Sequence, residues 1–383
     1  MPGLLPTVDP DGLLEYSVVY TDRALNHMSA SFQQVMNDIS ATMKEVYNAA
    51  GVVVVPGSGT FGMEAVARQY ASDSDVLVVR NGWFSYRWSQ IFEIGCIPSS
   101  ETVLKARRVQ DGHQAPFAPV PIDELVSRIQ SERPSVVFAP HVETSAGMML
   151  PDAYIRGAAE AVHSVGGLFV LDSIASGAMW VDMEDCGVDV LISAPQKGWS
   201  GSPCCAVVML SGRAIDRLHT TRSSSFACDL GKWHQIMQAY EQGGHAYHAT
   251  MPTDGLRGFM EVVQETGIFG FEAAKRAQQE LGLGVRQVLE SRGYPSVAAE
   301  GFQAPGVVVS YTDDLEVKSG ARFAAAGMQI AAGVPLAIDE GDDFRTFRIG
   351  LFGLDKLKNV GRTISSFERV LDGFGTRPLR GGS

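Results

Sequence analysis

Three stretches of this 383-residue sequence place chemically versatile side chains at the ends of apolar runs. The first, Val52–Glu64, reads VVVVPGSGTFGME, a strand-like run entering a turn of small residues and then a helix. The backbone amides of Ser58, Gly59 and Thr60, with two hydroxyls, can cradle a phosphate monoester at that helix N-terminus. The second is Leu171-Asp172-Ser173, where a carboxylate closes an apolar strand. The third is SAPQKG, Ser193–Gly198, which closes the next strand with Lys197. One strand–loop–strand step separates Asp172 from Lys197, so both side chains can meet in a crevice at the carboxyl ends of adjacent strands. Phosphate cradle, carboxylate and lysine together suit pyridoxal 5′-phosphate chemistry. The lysine forms a Schiff base with the aldehyde, the carboxylate keeps the pyridine nitrogen protonated, and the amides hold the phosphate. A protonated ring can then accept electrons from a carbanion at the substrate's α-carbon.

A second chemistry competes for the first stretch. Gly57, Gly59 and Gly62 fit G-x-G-x-x-G, the dinucleotide fingerprint. Ribose binding calls for a carboxylate at the end of the next strand, which closes instead with Arg80-Asn81. Arg80 could favour a 2′-phosphate, so an NADP-dependent reductase stays open.

Positioning these residues requires buried strands joined by helices. Short apolar runs occur at Gly51–Val55, Val76–Arg80, Ser135–Ala139, Gly167–Asp172, Val188–Ser193 and Cys205–Leu210. Most are continuous rather than alternating, which predicts strands covered on both faces of a mainly parallel sheet. Amphipathic patterns at Phe32–Asn48 and Pro121–Ser131 and an Ala-rich one at Ala153–Val165 predict helices between them. The result is an α/β architecture. From about Met251 the texture changes to long helical stretches, Gly255–Gln264 and Phe271–Ser291. Strand-like runs at Gly306–Tyr311 and Arg345–Gly350 and a last helix around Lys356–Leu371 follow. The expected organisation is an N-terminal segment (1–25), a large domain (26–254) and a smaller α+β C-terminal domain (255–383), with a disordered Arg380–Ser383 tail.

Composition narrows the partners. Thirty-one basic against 43 acidic residues give a net charge of −12, which disfavours nucleic acid and anionic membrane surfaces. No apolar run is long enough to span a bilayer, and the first 17 residues lack a secretory pattern. Five cysteines without CxxC spacing fit a reducing cytoplasm rather than a disulfide framework or zinc site. His245 and His248, with His234 nearby, lack the carboxylates of a metal site, so no metal is expected.

With PGSGTFGMEA, HVETSAG, VLDSIAS, SAPQKG, YHATMP and FRIGLFG in hand, the sequence resembles the class V aminotransferases, fold-type I pyridoxal phosphate enzymes. The likeness runs from about His27 to Leu371 and is greatest to the alanine–glyoxylate and serine–pyruvate branch. It implies ping-pong transamination, with Lys197 as the Schiff-base lysine and Asp172 as the pyridinium partner. Ser58, Gly59, Thr60 and Gln196 would bind phosphate, and Thr144 would lie near the ring hydroxyl. Phe84 would stack on the ring, with Trp83 the other candidate by one register. Tyr247 and Thr250 would reach the neighbour's phosphate across a homodimer interface, and Arg348 would grip the substrate α-carboxylate. The family's usual Pro-Gly-Pro segment is missing from Tyr16–Leu25, so side-chain specificity stays open. A small amino donor with glyoxylate or pyruvate is the leading expectation. Alternatives are an aminophosphonate donor, held by Arg23 or Arg87, and a lyase or cysteine desulfurase using Cys228.

Overall fold

The computed structural model describes residues 9 and 11–374. Seven strands form the main sheet: β1 (Gly51–Pro56), β2 (Asp75–Arg80), β3 (Ser100–Lys105), β4 (Val136–Pro140), β5 (Leu168–Asp172), β6 (Val190–Ser193) and β7 (Cys205–Leu210). Their spatial order is β1-β7-β6-β5-β4-β2-β3. The β2–β3, β2–β4, β4–β5 and β5–β6 pairs are parallel, and β7 runs antiparallel to both of its neighbours. The continuous valine and leucine runs are buried on both faces, as their lack of alternation predicts. The main-sheet strand missed in the sequence is β3, whose SETVLK run lies at the sheet edge with one buried residue and carries too little apolar character to stand out.

Helices cover both faces. The first, α1 (Ala30–Tyr47), matches the amphipathic pattern at Phe32–Asn48, and α2 (Gly59–Tyr70) is the helix expected after the small-residue turn. Gly62 lets α2 lie flush on β7, since a Cβ there would sit 2.4 Å from the Ala206 methyl carbon. The third glycine of the fingerprint is thus a packing contact between helix and sheet. A further helix, α3 (Trp83–Gly95), follows β2 and was not evident from the sequence. Its Trp88 is fully buried, with its ring centre 4.5 Å from that of Phe138 on β4. Truncating such a side chain costs about 3–5 kcal/mol, so this contact fixes the rotation of α3. Phe84, one turn earlier on the same helical face, therefore emerges beyond the end of β4.

In the last third of the chain, β8 (Val307–Tyr311) pairs antiparallel with β9 (Thr346–Gly350), and Ala331–Ala332 pairs with the other edge of β9. Two long helices, Thr253–Phe269 and Phe271–Ser291, precede this sheet, and Val360–Asp372 follows it. The tail Arg380–Ser383 lies outside the described residues. Among the described residues, no helix is long and apolar enough to cross a membrane.

Candidate active site

Five parallel strands deliver side chains to one cavity from their carboxyl ends, the crevice expected of such a sheet. The turn after β1 brings Ser58, Gly59 and Thr60; the segment after β2 brings Phe84 and Arg87; β4 leads to Thr144. Asp172 ends β5, and Gln196 and Lys197 follow β6. Ile192 of β6 stands opposite Asp172 in the parallel register, which sets the lysine turn beside the carboxylate. Met63, Val142, Ile174 and Ala175 complete the apolar part of the wall.

The cavity's polar groups have demands that the protein does not meet. Ser58 precedes α2, but its hydroxyl does not cap the helix, and the first turn carries no acidic residue. Among the described residues, the N–H groups of Ser58, Gly59 and Thr60 find no acceptor, which leaves an anion-binding helix end. Gln196 keeps Oε1 buried without a partner, so its amide can turn and present its NH2 group to a ligand. Asp172 is buried and accepts from the Ile174 N–H at 3.0 Å. Burial, reinforced by the Glu143 charge, pushes its carboxyl up to about 7, despite the opposing pull of the Ile174 N–H and Arg87. Among the described residues, the Ile174 N–H and the Arg87 charge do not outweigh that burial, as a cation bound against the carboxylate would.

Lys197 and Arg348 add positive charge. The Lys197 ammonium lies 5.2 Å from the centre of the Phe352 ring. Burial, then the Arg348 charge, holds its pKa below the ordinary lysine range. Arg348 projects from β9, where its Nε donates to the Ala332 carbonyl at 2.9 Å. That single bond leaves the two terminal nitrogens for a ligand. Arg348 and Arg87 approach the same Phe84 ring, at 5.7 and 5.2 Å from its centre. Arg87 also donates to the Thr60 hydroxyl at 3.1 Å, which assigns it to the anion-binding end of the cavity.

Several sequence expectations take a different place. Phe84 lines the cavity, whereas Trp83 packs against Tyr86 with ring centres 5.7 Å apart. Arg80, the residue on which a nicotinamide dinucleotide reading rested, is buried under α3. It donates to Ser89 at 2.5 Å and stacks on Tyr86, so it is not free for a 2′-phosphate. Cys228 is no mobile loop thiol: it is buried in the main core, and burial raises its pKa, which opposes the thiolate a desulfurase needs. Arg23 is exposed. Tyr247 and Thr250 are bonded to each other at 3.1 Å on the surface and do not line the cavity of their own chain. Two residues the sequence reading passed over, Glu143 and Ser145, lie buried behind the cavity wall.

A half-buried amine, a buried carboxylate awaiting a cation and a free helix end fit a phosphate-bearing pyridinium aldehyde. A model of the aminotransferase class-V family matches residues 12–323. The chain belongs to that family. Class-V aminotransferases depend on pyridoxal phosphate, and this enzyme is one of them. It is 26% identical to a 2-aminoethylphosphonate–pyruvate transaminase of Paraburkholderia xenovorans, covering 91% of this chain and 90% of that one. A Synechococcus protein described as the small subunit of a soluble hydrogenase is 25% identical, over 98% of this chain and 93% of its own. Among solved structures, an alanine–glyoxylate aminotransferase from Nostoc shares the fold with a TM-score of 0.75 at 21% identity. That match covers 90% of this chain and 88% of the Nostoc chain.

Proposed function

We propose that this class-V aminotransferase moves the amino group of a small amino acid, such as alanine or serine, to glyoxylate or pyruvate, by ping-pong transamination. The observation that carries this reading is the convergence of Lys197 and Asp172 on one cavity, with the half-free Arg348 guanidinium 5.7 Å from the centre of the Phe84 ring that lines it. Pyridoxal phosphate supplies an aldehyde that captures the donor's amine and a ring that draws electrons from the donor's α-carbon. Ser58, Gly59, Thr60, Gln196 and Arg87 would hold its phosphate, Asp172 would pair with its ring nitrogen, and Phe84 and Thr144 would hold its ring. The terminal nitrogens of Arg348 grip the α-carboxylate in the two-point manner of a planar guanidinium and thereby fix the Cα–H bond. Lys197 then holds and moves the proton of the α-carbon. Its lowered pKa keeps a larger share of the amine unprotonated for that task.

The test is stoichiometry. Holoenzyme mixed with a panel of amino donors, 2-aminoethylphosphonate included, and no acceptor should release one 2-oxo product per site and then stop. Adding glyoxylate or pyruvate should restart it. Continuous release without an acceptor would make the enzyme a lyase.

Arg348→Lys should raise the KM for the amino donor about 100-fold in steady-state kinetics, because an ammonium cannot reproduce the bidentate grip. An unchanged KM would remove Arg348 from the substrate site.

The enzyme is proposed to act as a cytoplasmic homodimer. Two observations support this reading: its five cysteines are free, and the hydrogen-bonded Tyr247–Thr250 pair lies on the surface, outside the cavity of its own chain. Tyr247→Phe should weaken cofactor binding about tenfold in an equilibrium titration, the worth of one charge-assisted hydrogen bond. A fully active monomer in analytical ultracentrifugation would contradict the shared site. The division at residues 25 and 254 belongs to the same proposal.

A further inference from the structure

Glu143 is fully buried behind the cavity wall, and the chemistry above does not use it. Its partners are amides and hydroxyls. Oε1 accepts from the Phe84 N–H at 3.2 Å, the Ser145 N–H at 3.1 Å and the Ser145 hydroxyl at 2.6 Å. Oε2 accepts from the Ser85 N–H at 2.9 Å and the Ser85 hydroxyl at 2.7 Å. The two serines pass the network on. Ser145 Oγ accepts from the Trp83 N–H at 2.9 Å, and Ser85 Oγ accepts from the Asn81 and Gly82 N–H groups at 2.9 and 3.0 Å.

Every backbone N–H from Asn81 to Ser85 is thereby satisfied, and the carboxylate supplies the negative charge that a helix start favours. The cap of α3 comes from 58 residues further along the chain. Contact is so close that a Cβ on Gly82 would lie 2.1 Å from Ser145 Oγ and 2.8 Å from the Glu143 carboxyl carbon. Cavity residues stand on both sides of this clamp: Phe84 and Arg87 on α3, and Thr144 between Glu143 and Ser145.

We propose that Glu143 is a positioning residue: by capping α3 from the loop after β4, it fixes Phe84 and Thr144 relative to each other and so sets cofactor affinity and orientation. The inference rests on the reading that this cavity holds pyridoxal phosphate.

Glu143→Gln tests it with almost no change of shape. An amide has one acceptor oxygen, so in either orientation its NH2 group confronts at least one buried N–H that now meets a carboxylate oxygen. The dissociation constant for pyridoxal phosphate, read by absorbance titration, should rise about tenfold or more, the order expected for one buried donor left unpaired. The circular dichroism induced in the bound cofactor should shrink, and amide exchange at Phe84 and Ser85 should accelerate. Action through Phe84 also predicts non-additivity, so Phe84→Leu combined with Glu143→Gln should bind no more weakly than Phe84→Leu alone. Wild-type affinity and dichroism in Glu143→Gln would overturn the proposal, however far the melting temperature fell.

If Glu143→Gln fails to fold, Ser145→Ala removes one acceptor and one donor of the same network. It should shift affinity about threefold, with the same dichroic change, and unaltered values would again overturn the proposal. A wild-type protein that binds no pyridoxal phosphate would instead defeat the functional reading, while exchange at Phe84 and Ser85 would still report on the clamp.

Discussion

Lys197→Ala should abolish transamination, lowering turnover by roughly 10⁴-fold or more, the upper range for a positioned general base, while leaving the fold intact. The two halves of this expectation have separate physical grounds. Loss of activity follows because no other amine lines the cavity among the described residues. Retention of the fold follows from the cost of keeping an ammonium there. Burial and the Arg348 charge depress the Lys197 pKa, so at neutral pH its charged form is less stable in the folded chain than in the unfolded one. That penalty fades as pH rises toward the ordinary lysine value, and truncation removes it altogether. The cofactor-free variant should therefore melt no lower than wild type at pH 7, with release of 2-oxo product at background. Wild-type turnover in this variant would remove Lys197 from the mechanism, and a collapsed melting temperature would make it a structural residue.

Asp172→Asn carries the second large effect, and its sign depends on the cofactor. In the cofactor-free fold the carboxyl titrates at about 7 rather than 3.8. The folded state thus holds the proton more tightly than the unfolded chain. This stabilisation is complete below about pH 3.8, is lost progressively as pH rises through 7, and stays lost above it. An amide never ionises and escapes that loss. Asp172→Asn should consequently stabilise the cofactor-free protein at pH 8 by up to about 4 kcal/mol, with the gain shrinking toward zero near pH 4. Denaturant melts at several pH values measure this directly. In the holoenzyme the order reverses: the amide leaves the ring nitrogen's positive charge unpaired, and kcat/KM should fall roughly 10²–10³-fold. A variant that is less stable than wild type without cofactor, or fully active with it, would contradict the assigned role.

That Asp172 and Lys197 share one cavity was legible in the sequence because each ends or follows a strand with an uninterrupted apolar pattern. β5 runs LFVLD into Asp172, and β6 runs VLIS into the Lys197 turn. Their alignment across parallel neighbours needed only the rule that such strands point the same way. Hidden features were those whose causes are distant in sequence. Helix α3 begins with Trp83 and Phe84 after a strand-like run, and its Gly82 cap position has no capping side chain. The cap is completed by the distant Glu143, and the one local contribution, Ser85 at the third helical position, is a weak signal on its own. Arg80 shows the opposite limit. Its position at the end of β2 suggested a ligand, but α3 folds over it and gives it Ser89 and Tyr86 as partners. Strand β3 escaped notice for a simpler reason, since an edge strand can be polar.

The most direct test of the central claim is the absorbance spectrum of the purified protein loaded with pyridoxal phosphate and titrated first with amino donors, then with glyoxylate or pyruvate. The account predicts a near-visible band that requires Lys197, disappears with at least one small amino donor, and returns when the 2-oxo acid is added. A protein that acquires no such band with added pyridoxal phosphate, or whose band responds to no donor in the panel, would contradict it.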